Sequence, residues 1–208
     1  MMNYWSTARP VRRNRAVSPE MIARSAAALL DEEGYGNVSL RLLADRLGAA
    51  PASLYSRISS LSDAHDLALD YVLSVDRVVQ RAVSDGGVID ILLGLYRHLL
   101  SHPWAIQILA ARPPRGPFYL EASEALLMRL QQTGIANPLA SGYAATNLVI
   151  GSALTQQAAD REPREFVDGQ VAPMYKSLHF TAELHPETVL RDTLTCLLGA
   201  MGGTPAEE

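Results

Sequence analysis

The sequence predicts an all-α protein: an N-terminal three-helix, helix-turn-helix head followed by a larger helical body. Three observations predict it. Strand-like period-2 alternation is nearly absent from the 208 residues, whereas 3.6-residue periodicity recurs from residue 18 onward. Two short helical patterns, "SLRLLADRLG" at 39–48 and "PASLYSRI" at 51–58, stand back to back around one glycine. The formal net charge of −4 hides an asymmetry: residues 1–60 sum to +3 and the remainder to −7. A cationic end suits a polyanion, and the acidic body serves something else.

The elements follow in order. Residues 1–14 form an unstructured basic arm carrying Arg9, Arg12 and Arg13, with Arg15 just beyond it. Ser18-Pro19 starts the first helix, because serine accepts from an orphan N–H and proline at the first position sacrifices none. Ile22, Ala26, Leu29 and Leu30 mark its inner face, and Gly34 suits a left-handed cap. Ser39 caps the second helix, whose Leu40, Leu43, Ala44 and Leu47 form one apolar stripe before Gly48 ends it. Pro51 opens the third, although Ala50 is a poor cap. That helix offers only Leu54 and Ile58 to a core and leaves Ala52, Ser53, Ser56 and Arg57 outward.

One longer helix is predicted over 62–83, ended by Asp85-Gly86-Gly87, with others near 88–101, 103–111, 118–133, 138–159 and 186–201. "RPPRGP" at 112–117 is a rigid break. Residues 160–185 read as a loop followed by a short helix near 170–179. The domain boundaries are therefore 1–14 for the arm, 15–61 for the head and 62–208 for the body.

Two short helices joined by a glycine-containing turn form a helix-turn-helix. The second is too short to be stable alone and relies on packing. Its open face fits the major groove of B-DNA. Small residues Ala52 and Ser53 allow close approach, Tyr55 and Arg57 can reach phosphate or base, and Arg41 can reach the site's edge. From spacing alone, an ordinary αα corner fits equally well.

In composition and motif, other classes find little support. The chain has no Gly-rich phosphate loop, no G-x-S-x-G elbow and no paired carboxylates in an apolar setting, so an enzyme and a resident cofactor are not expected. Cys196 is the single cysteine, which excludes an intrachain disulfide. His98 and His102 have i, i+4 spacing but no third ligand at a convincing distance, so no metal site is expected. No apolar run approaches the ~18–20 residues of a membrane span, and no apolar stretch follows the N-terminal arginines. The expectation is a cytoplasmic protein with no membrane partner.

The stretch "ALLDEEGYGNVSLRLLADRLGAAPASLYSRI" resembles the DNA-binding signature of the tetracycline-repressor (TetR) family of bacterial transcription regulators. The resemblance lies in Gly34-Tyr35, the Ser39-x-Arg41 start, Leu43-Ala44…Leu47-Gly48 and Leu54-Tyr55. "HLLSHPWAIQILAARPPRGP" is similar to the C-terminal domain of one branch of that family. The resemblance implies DNA contacts from Arg41, Pro51, Ala52, Ser53, Tyr55 and Arg57, a homodimer, and a ligand cavity in the body. Two departures stand out: Leu61 where the family usually has a phosphate-contacting lysine, and Ala64 where it has a bulkier residue.

Together these imply a ligand-responsive transcriptional repressor that binds a near-palindromic double-stranded DNA operator as a homodimer. A small amphipathic or aromatic effector releases it. Candidate cavity residues are His98, His102, Trp104, Gln107, Arg112, Phe118, Met128, Tyr143, Asn147 and Gln156, which mix aromatic, sulfur and hydrogen-bonding groups in apolar helices. The dimer interface is expected at Gly142, Ala145, Gly151, Ser152, Leu190, Leu194 and Leu197. The alternatives are a helical dimer that has lost operator binding and acts through protein partners, and a helical enzyme.

Overall fold

A computed structural model of the chain describes residues 17–161, 168–181 and 185–202. The basic arm lies outside them. The described residues form eleven α-helices and one short 3-10 turn, with no strand.

The head begins with α1 (Pro19–Glu33), where the Ser18 hydroxyl accepts from the Met21 N–H. Gly34 has a positive φ of 80°, as its place predicts, but its ψ of 163° lies outside the left-handed helical region. The backbone turns away through Tyr35–Asn37 instead of closing on the helix. In α2 (Leu40–Arg46) the Ser39 hydroxyl caps the Leu42 N–H. The helix closes with two hydrogen bonds, Ala49 N–H to Ala44 C=O and Gly48 N–H to Asp45 C=O, at 3.0 and 3.1 Å. That double closure needs a left-handed residue, and Gly48 supplies it with φ 59°. The third helix, α3 (Pro51–Tyr55), is five residues long.

The predicted helix over 62–83 is two helices, α4 (Leu61–Val75) and α5 (Arg77–Asp85). Asp76 divides them. Its carboxylate accepts from the Val78 and Val79 N–H groups, an N-cap that competes with continuing the helix. Apolar periodicity runs through this point, so only the cap chemistry marks it. Val75 and Val78 are exposed, while Val79 is buried.

The body continues with α6 (Val88–Ser101), α7 (Pro103–Ala111), α8 (Pro117–Gln132), α9 (Pro138–Arg161), α10 (Pro173–Thr181) and α11 (Pro186–Gly202). These match the predicted helices to within a few residues. The central helix is α6, which packs against α5, α7, α8, α9 and α11 through Leu92, Leu93, Tyr96 and Leu99. Of the contacts that tie head to body, the most extensive run between α1 and α4. Arg129 of α8 closes the far end of α5. Its guanidinium donates to the carbonyls of Val83 (2.7 Å), Ser84 (3.0 Å) and Gly86 (2.5 Å), the acceptors a helix C-terminus leaves open.

Arg129→Ala is therefore expected to remove the donor to these partly buried carbonyls and to cost about 1 kcal/mol of stability. Urea denaturation, compared with Arg77→Ala as a surface control, checks this.

Candidate nucleic-acid interface and ligand cavity

The recognition surface is built from the inside outward. Leu54 and Ile58, at 0% and 2% exposure, seat α3 and its following turn on a core of Ile22, Ala26, Leu30, Leu43 and Ala44. One residue in four faces inward, so Pro51, Ala52, Ser53, Tyr55 and Ser56 are left exposed. Tyr55 is 58% exposed, a large aromatic held at the surface with no role in the core. Ser56 donates its hydroxyl to the Ser53 carbonyl at 2.8 Å. Arg41 is exposed and Arg57 half-buried, and among the described residues neither makes an ion pair. Arg46, by contrast, is committed to Glu32 at 2.7 Å and ties α2 to α1. Of the six residues implied for DNA contact, Arg41, Pro51, Ala52, Ser53 and Tyr55 are thus exposed and Arg57 is half-buried.

Behind that surface stands α4. It starts with a reciprocal cap: the Ser60 hydroxyl accepts from the Asp63 N–H, and the Asp63 carboxylate accepts from the Ser60 and Ser59 N–H groups at 3.2 and 2.8 Å. Leu61 is half-buried and packs on the core, so it offers nothing to a phosphate. Ala64 is fully buried on the same helix.

The ten candidate cavity residues do not converge. Gln107, Met128, Tyr143 and Asn147 are exposed on the outer faces of α7, α8 and α9. Gln156 and Phe118 are half-buried on different helices. Trp104 is buried, but its indole N–H donates to Asp31 at 2.6 Å, tying α7 to α1. His102 meets the same carboxylate at 2.8 Å. His98 is buried with Nδ1 2.8 Å from Asp76, at the break between α4 and α5. Arg112 reaches α4. Mixed composition marked these residues out, yet four of them, His98, His102, Trp104 and Arg112, bond to carboxylates on other helices or at their caps.

A cavity of about 50 Å³ does exist, between α4, α5, α6, α8 and α9. Its walls include Leu73, Val83, Leu92, Tyr119, Ser123 and Thr146, and none of the ten candidates lines it. No lining side chain is charged. The polar groups are the hydroxyls of Tyr119, Ser123 and Thr146, and small hydroxyl residues on apolar helices give little signal in a sequence.

The expected dimer residues also divide. Ala145, Leu190 and Leu194 are buried inside the protomer, and Gly142 faces α8, where an added Cβ would lie 3.2 Å from Leu127. They hold α9 and α11 to each other and to the rest of the body. Gly151 is exposed, and Ser152 and Leu197 are half-buried. The open faces carry Leu139, Tyr143 and Leu154 on α9 and Val189 and Cys196 on α11. Because α9 is apolar on most sides, periodicity could not separate its inner face from its outer one.

Two family models match the chain: "Bacterial regulatory proteins, tetR family" over residues 22–60 and "Tetracyclin repressor-like, C-terminal domain" over 93–188. The chain belongs to the TetR family. A relative, an HTH-type transcriptional regulator of Saccharopolyspora erythraea, is 39% identical over 151 residues, 69% of this chain. The chain covers 64% of that relative's length. The transcriptional repressor DrrR1 of Streptomyces coeruleorubidus is 29% identical over 198 residues, covering 84% of this chain and 70% of that one. Among solved structures, SCO7222, a TetR from Streptomyces coelicolor, is 25% identical with a TM-score of 0.68, covering 91% of this chain and 100% of that one. The Streptomyces coelicolor protein ActR, solved with actinorhodin, shares the fold at 22% identity and a TM-score of 0.73, covering 90% and 99%.

Titration behaviour follows from burial. Desolvation holds His98 below the ordinary histidine value despite the neighbouring Asp76, and its Nε2 is buried with no partner among the described residues. His65 of α4, stacked near Tyr35, is likewise held low by burial, with its own Nε2 unpartnered. For Asp76, burial opposes ionisation, but hydrogen bonds from His98 and the Val79 and Val78 amides outweigh it and hold the carboxyl low. Both histidines therefore fold neutral, and the unfolded chain binds more protons below about pH 6.5. Their contribution is present above that pH and is lost as pH falls through the depressed folded values. The melting temperature should drop between about pH 7 and 5, and the double variant His65→Asn/His98→Gln should flatten that slope. A circular-dichroism melt at several pH values decides it.

Proposed function

We propose that this TetR-family chain is a ligand-responsive transcriptional repressor, a homodimer that grips a near-palindromic operator with its two α3 helices. The observation that carries the reading is α3 itself: a five-residue helix pinned by Leu54, with an outer surface of Pro51, Ala52, Ser53 and Tyr55 that no core needs. A bare helix face flanked by Arg41 and Arg57 meets the requirements of a major groove. Its mates across a twofold axis would stand about 34–36 Å apart or a multiple of that. The relatives named as a transcriptional regulator and a transcriptional repressor support the class of activity.

The twofold contact is assigned to the open faces of α9 and α11, through Tyr143, Leu154, Val189 and Cys196 together with Gly151, Ser152 and Leu197. The effector is assigned to the cavity lined by Leu73, Leu92, Tyr119, Ser123 and Thr146. At about 50 Å³ it is smaller than the ~300 Å³ typical of small-molecule sites, so binding has to open it, and that opening is the strain a ligand would deliver to neighbouring helices. Walls that carry hydroxyls and no charge suit an uncharged, largely apolar or aromatic molecule. The wider groove of about 320 Å³ between α5, α6 and α11 is a poorer candidate, since its charges are of both signs and its Arg97 is paired with Glu187.

Fluorescence anisotropy against duplex DNA from the chain's own upstream region, at two salt concentrations, tests the repressor reading. Tight, salt-sensitive binding to one palindrome supports it, and no binding supports the protein-partner alternative. Arg57→Ala is expected to cost about 1–3 kcal/mol of operator affinity, and Arg41→Ala to lower the salt slope by about one. Light scattering should give the mass of two chains, against 22.6 kDa for one. Ala122→Val, which fills part of the cavity without having to open it, is expected to weaken any effector-induced thermal shift while leaving DNA binding intact.

A further inference from the structure

The segment 112–117, "RPPRGP", does more than interrupt two helices: it is tied to α4 at both of its ends. At the first end, the Arg112 guanidinium meets both oxygens of Asp66 and also donates to the Ser62 carbonyl at 2.8 Å and to Asp63 Oδ1 at 3.3 Å. At the other end, Asp70 Oδ1 accepts the Tyr119 N–H at 2.8 Å, and the Phe118 N–H also bonds this carboxylate. These are first-turn N–H groups of α8, which ordinarily look to their own N-cap side chain. The N-cap of α8 is Gly116, which has none. Asp70 takes over the capping from another helix.

The loop is shaped to let it. A Cβ on Gly116 would lie 2.1 Å from Asp70 Oδ1 and 2.3 Å from its Cγ, so only glycine leaves room for the carboxylate. Asp63, Asp66 and Asp70 stand at i, i+3 and i+7, one stripe along α4, and all three are buried. The stripe joins two functional regions. Asp63 is also the capping-box residue that starts α4 just after the recognition helix. Tyr119, whose backbone Asp70 holds, lines the cavity.

We propose that Asp70 and Arg112 are positioning residues that form a two-point joint, through which the cavity end of α8 and the DNA-reading head set one another's position. The proposal rests on the repressor reading above and names how that activity is regulated. Its physical basis is the state of Asp70. Among the described residues Asp70 has no ion-pair partner; burial holds its carboxyl above the ordinary carboxylate value, and the Tyr119 and Phe118 N–H groups at the positive end of α8 are what favour its charged form. Drawing α8 away by an ångström or two would leave that buried carboxyl without its donors, a cost whether it stays charged or takes up a proton. α4 therefore follows α8, and Arg112 carries the same displacement to the head end of α4 through Asp63 and Asp66. A molecule that opens the cavity against Tyr119 pushes on the residue whose backbone Asp70 holds.

Coupling between two sites is reciprocal, so DNA on the head should be felt at α8 with no effector present. The test is hydrogen–deuterium exchange on the full chain, with and without duplex DNA from its own upstream region. In the wild type, DNA should slow exchange in residues 40–58 and also, by roughly fivefold or more, in residues 118–123. Asp70→Ala and Gly116→Ala, which break the joint from opposite sides, should keep the first effect and lose the second. Asp70→Asn fills the same space and replaces Asp70→Ala if that variant does not fold. It should lose most of the second effect, because a neutral amide is a weaker acceptor. A wild-type head protected by DNA with a silent α8, or an α8 response unchanged in both joint variants, overturns this proposal and leaves the repressor reading standing. No protection at 40–58 overturns both.

Discussion

A helix of five residues cannot hold its own shape in water, and the structure of this protein is organised around that constraint. Leu54 and Ile58 supply the fixed points of α3, and they exist only because α1 and α2 offer an apolar surface that α4 closes from behind. Burial of a side chain of Leu size contributes roughly 1.5–3 kcal/mol, comparable to what nucleation of so short a helix lacks. With its inner face committed, the outer face is free of structural duty. Ala52, Ser53 and Tyr55 can then be chosen for what they touch outside the protein. Small residues at such a surface are poor material for a core and good material for close approach.

The same economy applies to α4, which serves three neighbours at once. Its apolar residues, Ala64, Leu67, Ala68 and Leu69 among them, pack on α1 and complete the head. Its acidic stripe accepts Arg112 and caps α8. Its end at Asp76 meets His98 from α6. A helix bound on several sides cannot shift toward one neighbour without disturbing the others, so a change at one end of α4 is transmitted along it. The break at Asp76 confines that rigid stretch to 61–75 and lets α5 take a separate direction. Charged and polar side chains carry these joints in an otherwise apolar interior, where a carboxylate without donors is costly. That cost makes each joint specific.

Much of the head was legible in the chain, and less of the body. Ser18, Ser39, Gly48 and Pro51 each act through local backbone chemistry, and each marks its boundary where the residues predict it. The inward pair Leu54 and Ile58 follows from period alone. In the body the helices were legible as segments, but their facing was not. α9 is apolar and small on most sides, so nothing local distinguishes Ala145, turned inward, from Tyr143, at 72% exposure. The candidate cavity residues illustrate the same difficulty. His98, Trp104 and Arg112 look like ligand contacts in sequence because each is polar or aromatic in an apolar setting. Each turns out to bond a carboxylate distant in sequence, Asp76, Asp31 and Asp66 respectively.

The sequence by itself determined the helical class, the helix starts and stops, and the two-helix motif with its bare face. These depend on caps, turns and periodicity, interactions that span at most a few residues. Tertiary structure alone decided where Asp76 interrupts a periodic run, which faces of α9 and α11 remain open, which hydroxyls surround the cavity, and that Asp70 caps a helix 46 positions or more away along the chain. Those outcomes depend on which groups the fold brings within three ångströms of one another. A carboxylate has the same one-letter code whether it faces water or the N-terminus of another helix.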